Sequence, residues 1–268
     1  MKKKIFKGEL KAEFREKESG DIFKAGLLAL LKMLGVLFLL YCLFWMIYRP
    51  SGGFISDITV KDPFSGFEYY IGEEVVHVEG LVHSGPVKDG YLKLPDSFWG
   101  KPVKSVHIWV DSDYEVETVE IPDGVTNISR VRGDGIKEII GGRDVVKIYG
   151  EAFKGCDGLT KVQLDCLITE IGYGAFSDCT NLKEVKLGNS VEKIGYDAFL
   201  NCTALEKVEL GYGVEEIGDC AFMNCSSLKE LPHTSCIEEI GKKAFEGTPW
   251  AKTEEGKKII AAYEKKDD

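Results

Sequence analysis

A repeat with a period of 23 residues is the feature of this 268-residue sequence that most restricts its fold. Residues 168–190 read ITEIGYGAFSDCTNLKEVKLGNS. The next two units, 191–213 and 214–236, read VEKIGYDAFLNCTALEKVELGYG and VEEIGDCAFMNCSSLKELPHTSC. Another unit starts at Val145, and a partial unit follows from Ile237. A segment this short cannot enclose a core by itself, so successive units must stack on one another. The repeat therefore predicts a solenoid.

The apolar positions inside each unit predict short strands joined by turns. Val185 and Leu187 alternate with polar neighbours, which is typical of a short strand with one buried face. An Ala-Phe pair closely follows a turn glycine in each unit and sends one ring inward. The phenylalanines at this position are Phe153, Phe176, Phe199, Phe222 and Phe245. We therefore expect a mainly β solenoid of stacked coils, ~4.8 Å apart and without long helices.

The repeated motif, IGxxAFxxCxxLxxVxL, resembles the BspA-type leucine-rich repeat of bacterial and protozoal surface proteins. The resemblance covers about residues 67–250. It implies a binding scaffold for adhesion or recognition, without catalytic chemistry. The sequence departs from the motif in two places. Residues 103–144 lack an Ala-Phe pair, and Pro232 and His233 replace an expected strand pair, so stacking is predicted to be irregular at both.

An apolar segment near the N-terminus predicts one transmembrane α-helix before the solenoid. Residues 25–48 carry a single charge, Lys32, and as a helix they would span about 36 Å. Residues 1–24 carry eight Lys or Arg against five acidic side chains, so the positive-inside rule predicts a cytoplasmic N-terminus and an extracellular repeat domain. A signal peptide cleaved near residues 51–53 is the alternative, but the bulky end of the segment disfavours cleavage.

These patterns divide the chain into six predicted segments. In chain order they are a basic cytoplasmic tail, a transmembrane signal anchor, a linker, an N-terminal capping hairpin with an entry coil, the BspA-type repeats and a charged C-terminal tail: 1–24, 25–48, 49–66, 67–102, 103–250 and 251–268. The net charge of −10 excludes a polybasic nucleic-acid binder, so no nucleic-acid partner is expected.

No catalytic or metal-ligating constellation is visible in the sequence. Nucleophile, P-loop and dinucleotide motifs are absent, and the four histidines are scattered without ligand spacing. One column of cysteines recurs with the repeat: Cys156, Cys179, Cys202 and Cys225. Their side chains are predicted to point the same way into the core, as buried free thiols. We expect a non-catalytic protein that needs no cofactor and no metal.

Two surface features supply candidate binding residues. Acidic side chains stack on the last coils, where a basic partner or a cation would fit, and tyrosines stack on earlier coils. The candidates are Glu192, Glu215, Glu216, Glu238, Glu239, Tyr149, Tyr173 and Tyr196. A solvated face and ordinary ladder packing are the alternative interpretations. At two other coil positions the charge alternates between neighbouring coils, as at Glu184 and Lys207, which predicts ion pairs that fix the register.

The sequence as a whole predicts a membrane-anchored, surface-displayed leucine-rich repeat protein that serves as a non-catalytic protein-interaction or adhesion module. Its predicted partners are the membrane, through residues 25–48, and an extracellular protein or envelope polymer. The alternative function is a membrane signalling or assembly partner that acts through the anchor and the short cytoplasmic tail. The ligand, the binding face and the oligomeric state stay open at this point.

Overall fold

Two β-sheets run along the array, and most coils contribute one strand to each of them. The computed structural model describes residues 58–62, 65–71, 76–81, 86–98, 100–164, 167–231 and 233–264. Within these residues the chain is a β-solenoid of about seven turns, as the repeat predicts.

The predicted cytoplasmic tail and membrane anchor, residues 1–48, lie outside the described residues. Among the helices that the structure does describe, none combines the length and the apolar character needed to cross a membrane.

The elements of the described residues are short strands, single turns of 3-10 helix and one α-helix. The strands are β1 (Ile58–Asp62), β2 (Phe67–Ile71), β3 (Val76–Leu81), β4 (Val87–Lys88), β5 (Tyr91–Lys93), β6 (Ser97–Phe98), β7 (Lys101–Trp109), β8 (Thr118–Ile121), β9 (Asn127–Arg132), β10 (Glu138–Gly141), β11 (Lys147–Ile148), β12 (Lys161–Leu164), β13 (Glu170–Ile171), β14 (Glu184–Lys186), β15 (Lys193–Ile194), β16 (Lys207–Glu209), β17 (Glu216–Ile217) and β18 (Glu239–Ile240). The 3-10 turns are Ser112–Tyr114, Thr234–Cys236 and Trp250–Lys252, and helix α1 is Glu254–Tyr263.

The strands form two long sheets in which neighbouring coils pair in parallel. Sheet A runs in the order β1-β2-β3-β7-β9-β11-β13-β15-β17-β18, with β6 added beside β7, and sheet B runs in the order β16-β14-β12-β10-β8-β5-β4. In sheet B, Val185 lies opposite Val162 on one side and Val208 on the other. In sheet A, Ile171 lies opposite Ile194. Both pairings join residues 23 apart, so the sequence period is the coil period.

Antiparallel strands close the N-terminal end of sheet A. Strands β2 and β3 form a hairpin within the residues expected to cap the array, and β3 pairs in parallel with β7 of the first coil. Strand β1 adds to the outer edge of β2. It lies inside the segment 49–66 that the sequence predicts to be a linker. The cap therefore extends to Ile58, because β2 offers an open edge with which a short alternating segment can pair.

The core consists of columns of identical side chains that stack from coil to coil. The five phenylalanine rings lie 4.9–5.3 Å apart between centroids, nearly parallel, and all are buried. The cysteine column lies close to them. Its thiols donate to main-chain carbonyls of the preceding coils, as from Cys202 Sγ to Phe176 O at 3.0 Å. A ring spacing close to the inter-strand distance lets each coil repeat the same packing.

The C-terminal end is closed by a tryptophan and helix α1. The Trp250 ring packs against that of Phe245, with 4.5 Å between the ring centroids and a tilt of 54°. Thr253 caps the helix, since its Oγ1 accepts the amide N–H of Gly256 at 3.0 Å. The sequence pattern predicts a charged tail at residues 251–268. The structure differs because the threonine cap and the acidic first turn favour a helix there.

Candidate interaction surface

The three candidate tyrosines lie on successive coils, each just after a strand of sheet A. Tyr149, Tyr173 and Tyr196 are 42%, 47% and 61% exposed. The rings of Tyr173 and Tyr196 lie 6.1 Å apart between centroids, and Lys147 Nζ lies 4.9 Å from the ring centroid of Tyr149. The structure thus places Tyr173 and Tyr196 as neighbouring, largely exposed rings, with Tyr149 on the coil before them.

Local packing holds the central tyrosine in place. A Cβ added at Gly150 would lie 2.7 Å from Tyr173 Cδ1, so the ring rests against a glycine that has no side chain. The Tyr173 hydroxyl donates to Glu151 Oε1 at 2.5 Å, and Lys154 Nζ donates to the same oxygen at 3.0 Å. These two bonds lower the pKa of Glu151, and the bond to Glu151 raises the pKa of Tyr173. Tyr173 therefore presents a fixed aromatic face at neutral pH.

The five candidate glutamates stack on the last coils of sheet A. Glu216 and Glu239 are register neighbours on β17 and β18. The other three, Glu192, Glu215 and Glu238, each precede one of the last strands. Main-chain hydrogen bonds of 2.8 Å join them, since the amide N–H of Glu215 donates to Glu192 O and that of Glu238 donates to Glu215 O. All three are exposed. The acidic strip predicted from the sequence is thus a continuous feature of the surface.

One lysine offsets part of this strip. Lys193 Nζ lies 2.7 Å from Glu216 Oε2, and Glu216 is the main reason that the pKa of Lys193 is raised. Both side chains are largely solvated, so the pair adds little to stability. Lys193 therefore offsets the charge of one of the five carboxylates, Glu216.

The tyrosine row and the acidic strip meet at one coil. Glu192 and Tyr196 lie on either side of β15, with the other tyrosines on the coils before it and the other glutamates on the coils after it. We call the eight candidate residues the tyrosine–glutamate surface. Its chemistry, planar aromatic faces beside carboxylates, suits a partner that presents basic and apolar side chains.

The outer face of sheet B has a different character, because its charges pair with one another. Lys207 Nζ lies 3.4 Å from Glu184 Oε1 and also pairs with Glu209. Lys93 pairs with Glu120 at 2.8 Å near the other end of the sheet. The alternating charges therefore stabilise the register, as their sequence positions predict. Because these charges pair with one another, this face attracts a charged partner less strongly.

The cysteine column has a structural role. Its four members are free and buried. Burial raises the pKa of Cys202, so the reactive thiolate is disfavoured there. In the part of the chain that the structure describes, no cluster of three or more His, Cys, Asp or Glu side chains could hold a metal ion.

Trp109 and Tyr212 are among the exposed aromatic residues that the sequence did not single out. Trp109, at the end of β7, is 67% exposed and lies beside Arg132 in the register, next to a cavity of about 520 Å³. The ring of Tyr212 lies 3.8 Å from that of His233. Both residues lie outside the tyrosine row, and Trp109 lies in a coil that lacks the Ala-Phe pair. The repeat pattern therefore did not predict that either side chain would be exposed.

Residues 135–260 match the family model for the BspA type leucine rich repeat region, in six copies. This part of the chain, just under half of it, resembles the BspA-type repeat. The BspA-type match leaves out the irregular coils before residue 135 and extends into α1. Leucine-rich repeats of this kind are protein-interaction modules rather than enzymes.

Two solved structures share the fold of this BspA-type array. A T. pallidum leucine rich repeat protein is 25% identical, with a TM-score of 0.60, over 75% of this chain and 95% of its own. A leucine-rich repeat protein from Eubacterium ventriosum ATCC 27560 is 20% identical, with a TM-score of 0.54, over 70% of this chain. The chain spans about half, 51%, of the length of that second protein. Among curated proteins, none matches the sequence significantly.

Proposed function

We propose that the chain is a membrane-anchored protein that displays its BspA-type solenoid outside the cell and binds another protein or an envelope polymer there. One observation carries this proposal: a row of half-exposed tyrosines runs into an acidic strip on the same sheet of a rigid scaffold. Tyrosines bury a large area at low entropy cost, which makes them effective contact residues.

Display outside the cell is supported by the sequence alone. Residues 25–48 have the length and composition of a membrane-spanning helix, and the basic tail before them favours a cytoplasmic N-terminus. The residues after Arg49 hold 24 basic against 39 acidic side chains, so the exported part would be strongly acidic. An acidic exported domain that follows a basic N-terminal tail suits a partner with a basic surface.

The binding role is tested by cross-linking on intact cells that express the full-length chain. A membrane-impermeant, amine-reactive cross-linker is applied to cells with the wild-type chain and to cells with Y173A/Y196A/E215Q/E238Q. We expect the adduct with the partner to fall at least about tenfold in the variant, a loss of about 1.4 kcal/mol in binding. None of the four substitutions removes an amine, so the labelling chemistry is unchanged.

The matched control is Y91A/Y263A/E117Q/E254Q, which makes the same kinds of change at exposed sites elsewhere. It is expected to leave the adduct unchanged, and both variants should melt within a few degrees of wild type because the sites are on the surface. Equal adduct from all three chains, or equal loss in the control, would overturn the tyrosine–glutamate surface as the binding site. An adduct that depends on residues 1–48 alone would favour the signalling or assembly role.

A further inference from the structure

Sheet B ends earlier along the array than sheet A does. Sheet A continues through β17 and β18, whereas the last strand of sheet B is β16. Glu230 and Leu231, which stand at the strand positions of the next coil, are not in a strand. Position 232 is a proline, which has no amide N–H, and His233 has left-handed backbone angles of φ 62° and ψ 49°. The edge of β16 therefore faces no strand among the described residues.

The main-chain ladder breaks at the same place. Lys183 O accepts the amide N–H groups of Glu206 and Lys207 at 3.0 and 3.1 Å. Earlier coils repeat this paired bond with the acceptors Gly90, Glu117, Lys137 and Thr160. Within the described residues, the equivalent carbonyl of Glu206 accepts no such bond from Lys229 or Glu230. An extended chain beside β16 would find a main-chain acceptor there in strand geometry.

A groove of about 830 Å³ lies between β16 and the last coil. Its floor includes the buried side chains of Val208, Leu231 and Trp250. Trp250 is 2% exposed, and its Nε1 is buried with no hydrogen-bond partner among the described residues.

The walls of the groove carry an excess of negative charge. The carboxylates that line it are Glu206, Glu209, Glu230 and Glu255. Two lysines also line it, but Lys207 already pairs with Glu209 and Glu184. The neighbouring rings of Tyr212 and His233 lie in the same groove. An apolar floor between acidic walls suits a segment whose side chains alternate between apolar and basic.

We propose that this groove binds an extended segment of a partner protein, with alternating apolar and basic side chains, as an added strand beside β16. Main-chain pairing with the open edge gives affinity, apolar side chains lie over Leu231 and Trp250, and basic side chains face the carboxylates. The proposal rests on the proposed function in that the occupant is a protein, but it uses a surface separate from the tyrosine–glutamate surface.

The first test uses full-length protein in detergent and a defined peptide, an N-acetylated, C-amidated hexapeptide of alternating valine and lysine. Binding is followed by fluorescence polarisation of a labelled copy. Methylation of alternate peptide amides, or exchange of lysine for glutamate, is expected to weaken binding at least tenfold. Equal affinity for the methylated peptide would overturn strand addition, and equal affinity for the acidic peptide would overturn the charge argument.

The second test closes the groove with the protein's own repeat. P232K/H233L converts the local sequence to ELKL, which matches EVKL in the coil at Glu184. We expect this variant to add a strand to sheet B, to melt no lower than wild type and to bind the peptide at least tenfold more weakly. Tyr91→Ala, near the other end of sheet B, should bind it like wild type.

A third variant keeps the proposal falsifiable if the double substitution does not fold. Trp250→Phe reduces the apolar surface on the floor of the groove and should weaken peptide binding several-fold. Unchanged binding by both W250F and P232K/H233L would overturn the proposal, as would a dimer through this edge in sedimentation. If the peptide fails to bind while the intact-cell adduct still depends on the tyrosine–glutamate surface, only the groove proposal falls.

Discussion

Replacement of Phe199 by alanine is expected to lower the free energy of unfolding by about 3–5 kcal/mol. Phe199 is fully buried, and its ring stacks between those of Phe176 and Phe222 at centroid distances of 5.1 and 5.0 Å. Alanine would leave a cavity in the middle of the column, with two neighbouring rings that each lose a contact. Urea unfolding of the full-length chain, followed by circular dichroism, measures the change.

The control for this substitution is in the same coil. Tyr196 is three residues earlier and 61% exposed, so Tyr196→Ala is expected to change the free energy of unfolding by no more than about 0.5 kcal/mol. A small effect at Phe199, or similar effects at both positions, would contradict a core built from stacked phenylalanines.

Gly218→Ala is expected to lower the free energy of unfolding by about 2–3 kcal/mol, although its backbone angles suit any residue. The reason is close approach between coils. A Cβ at this position would lie 2.6 Å from Tyr196 N and 2.8 Å from Gly195 C, and main-chain atoms of a packed coil cannot move aside. The same urea titration measures the effect.

The chain provides a matched control glycine. A Cβ at Gly213 would meet nothing closer than Val191 O at 3.5 Å, an ordinary contact, and its φ is not positive. Gly213→Ala should therefore be neutral or slightly stabilising, because alanine restricts the unfolded chain. If Gly213→Ala cost as much as Gly218→Ala, glycine content rather than coil spacing would explain the effect.

The regular part of the fold could be predicted because one pattern is repeated and each copy supports the others. The alternation at Val185 and Leu187 identifies a strand, and the period then fixes which residues lie opposite it. The same reasoning placed the ion pair between Lys207 and Glu184. It also placed Tyr173 beside Tyr196, since stacked coils bring equal positions together.

The ends of the array could not be predicted in this way, because no neighbouring copy constrains them. Strand β1 forms because β2 has an open edge, and a pairing of that kind is not part of the 23-residue repeat. Helix α1 depends on its cap at Thr253 and on packing around Trp250, whereas the sequence pattern shows mainly charge. The groove beside β16 arises where the repeat fails, at Pro232 and His233, and only the structure shows what that failure leaves exposed.

Protease treatment of intact cells that express the full-length chain most directly tests the claim that the solenoid is displayed outside as a binding module. Cleavage is expected to release residues after about 60, while residues 1–48 stay with the cells. The repeat array should persist longest, because its paired main chain opens rarely. Full protection of residues 60–268 in intact cells, with digestion only after lysis, would show that the solenoid is not displayed outside.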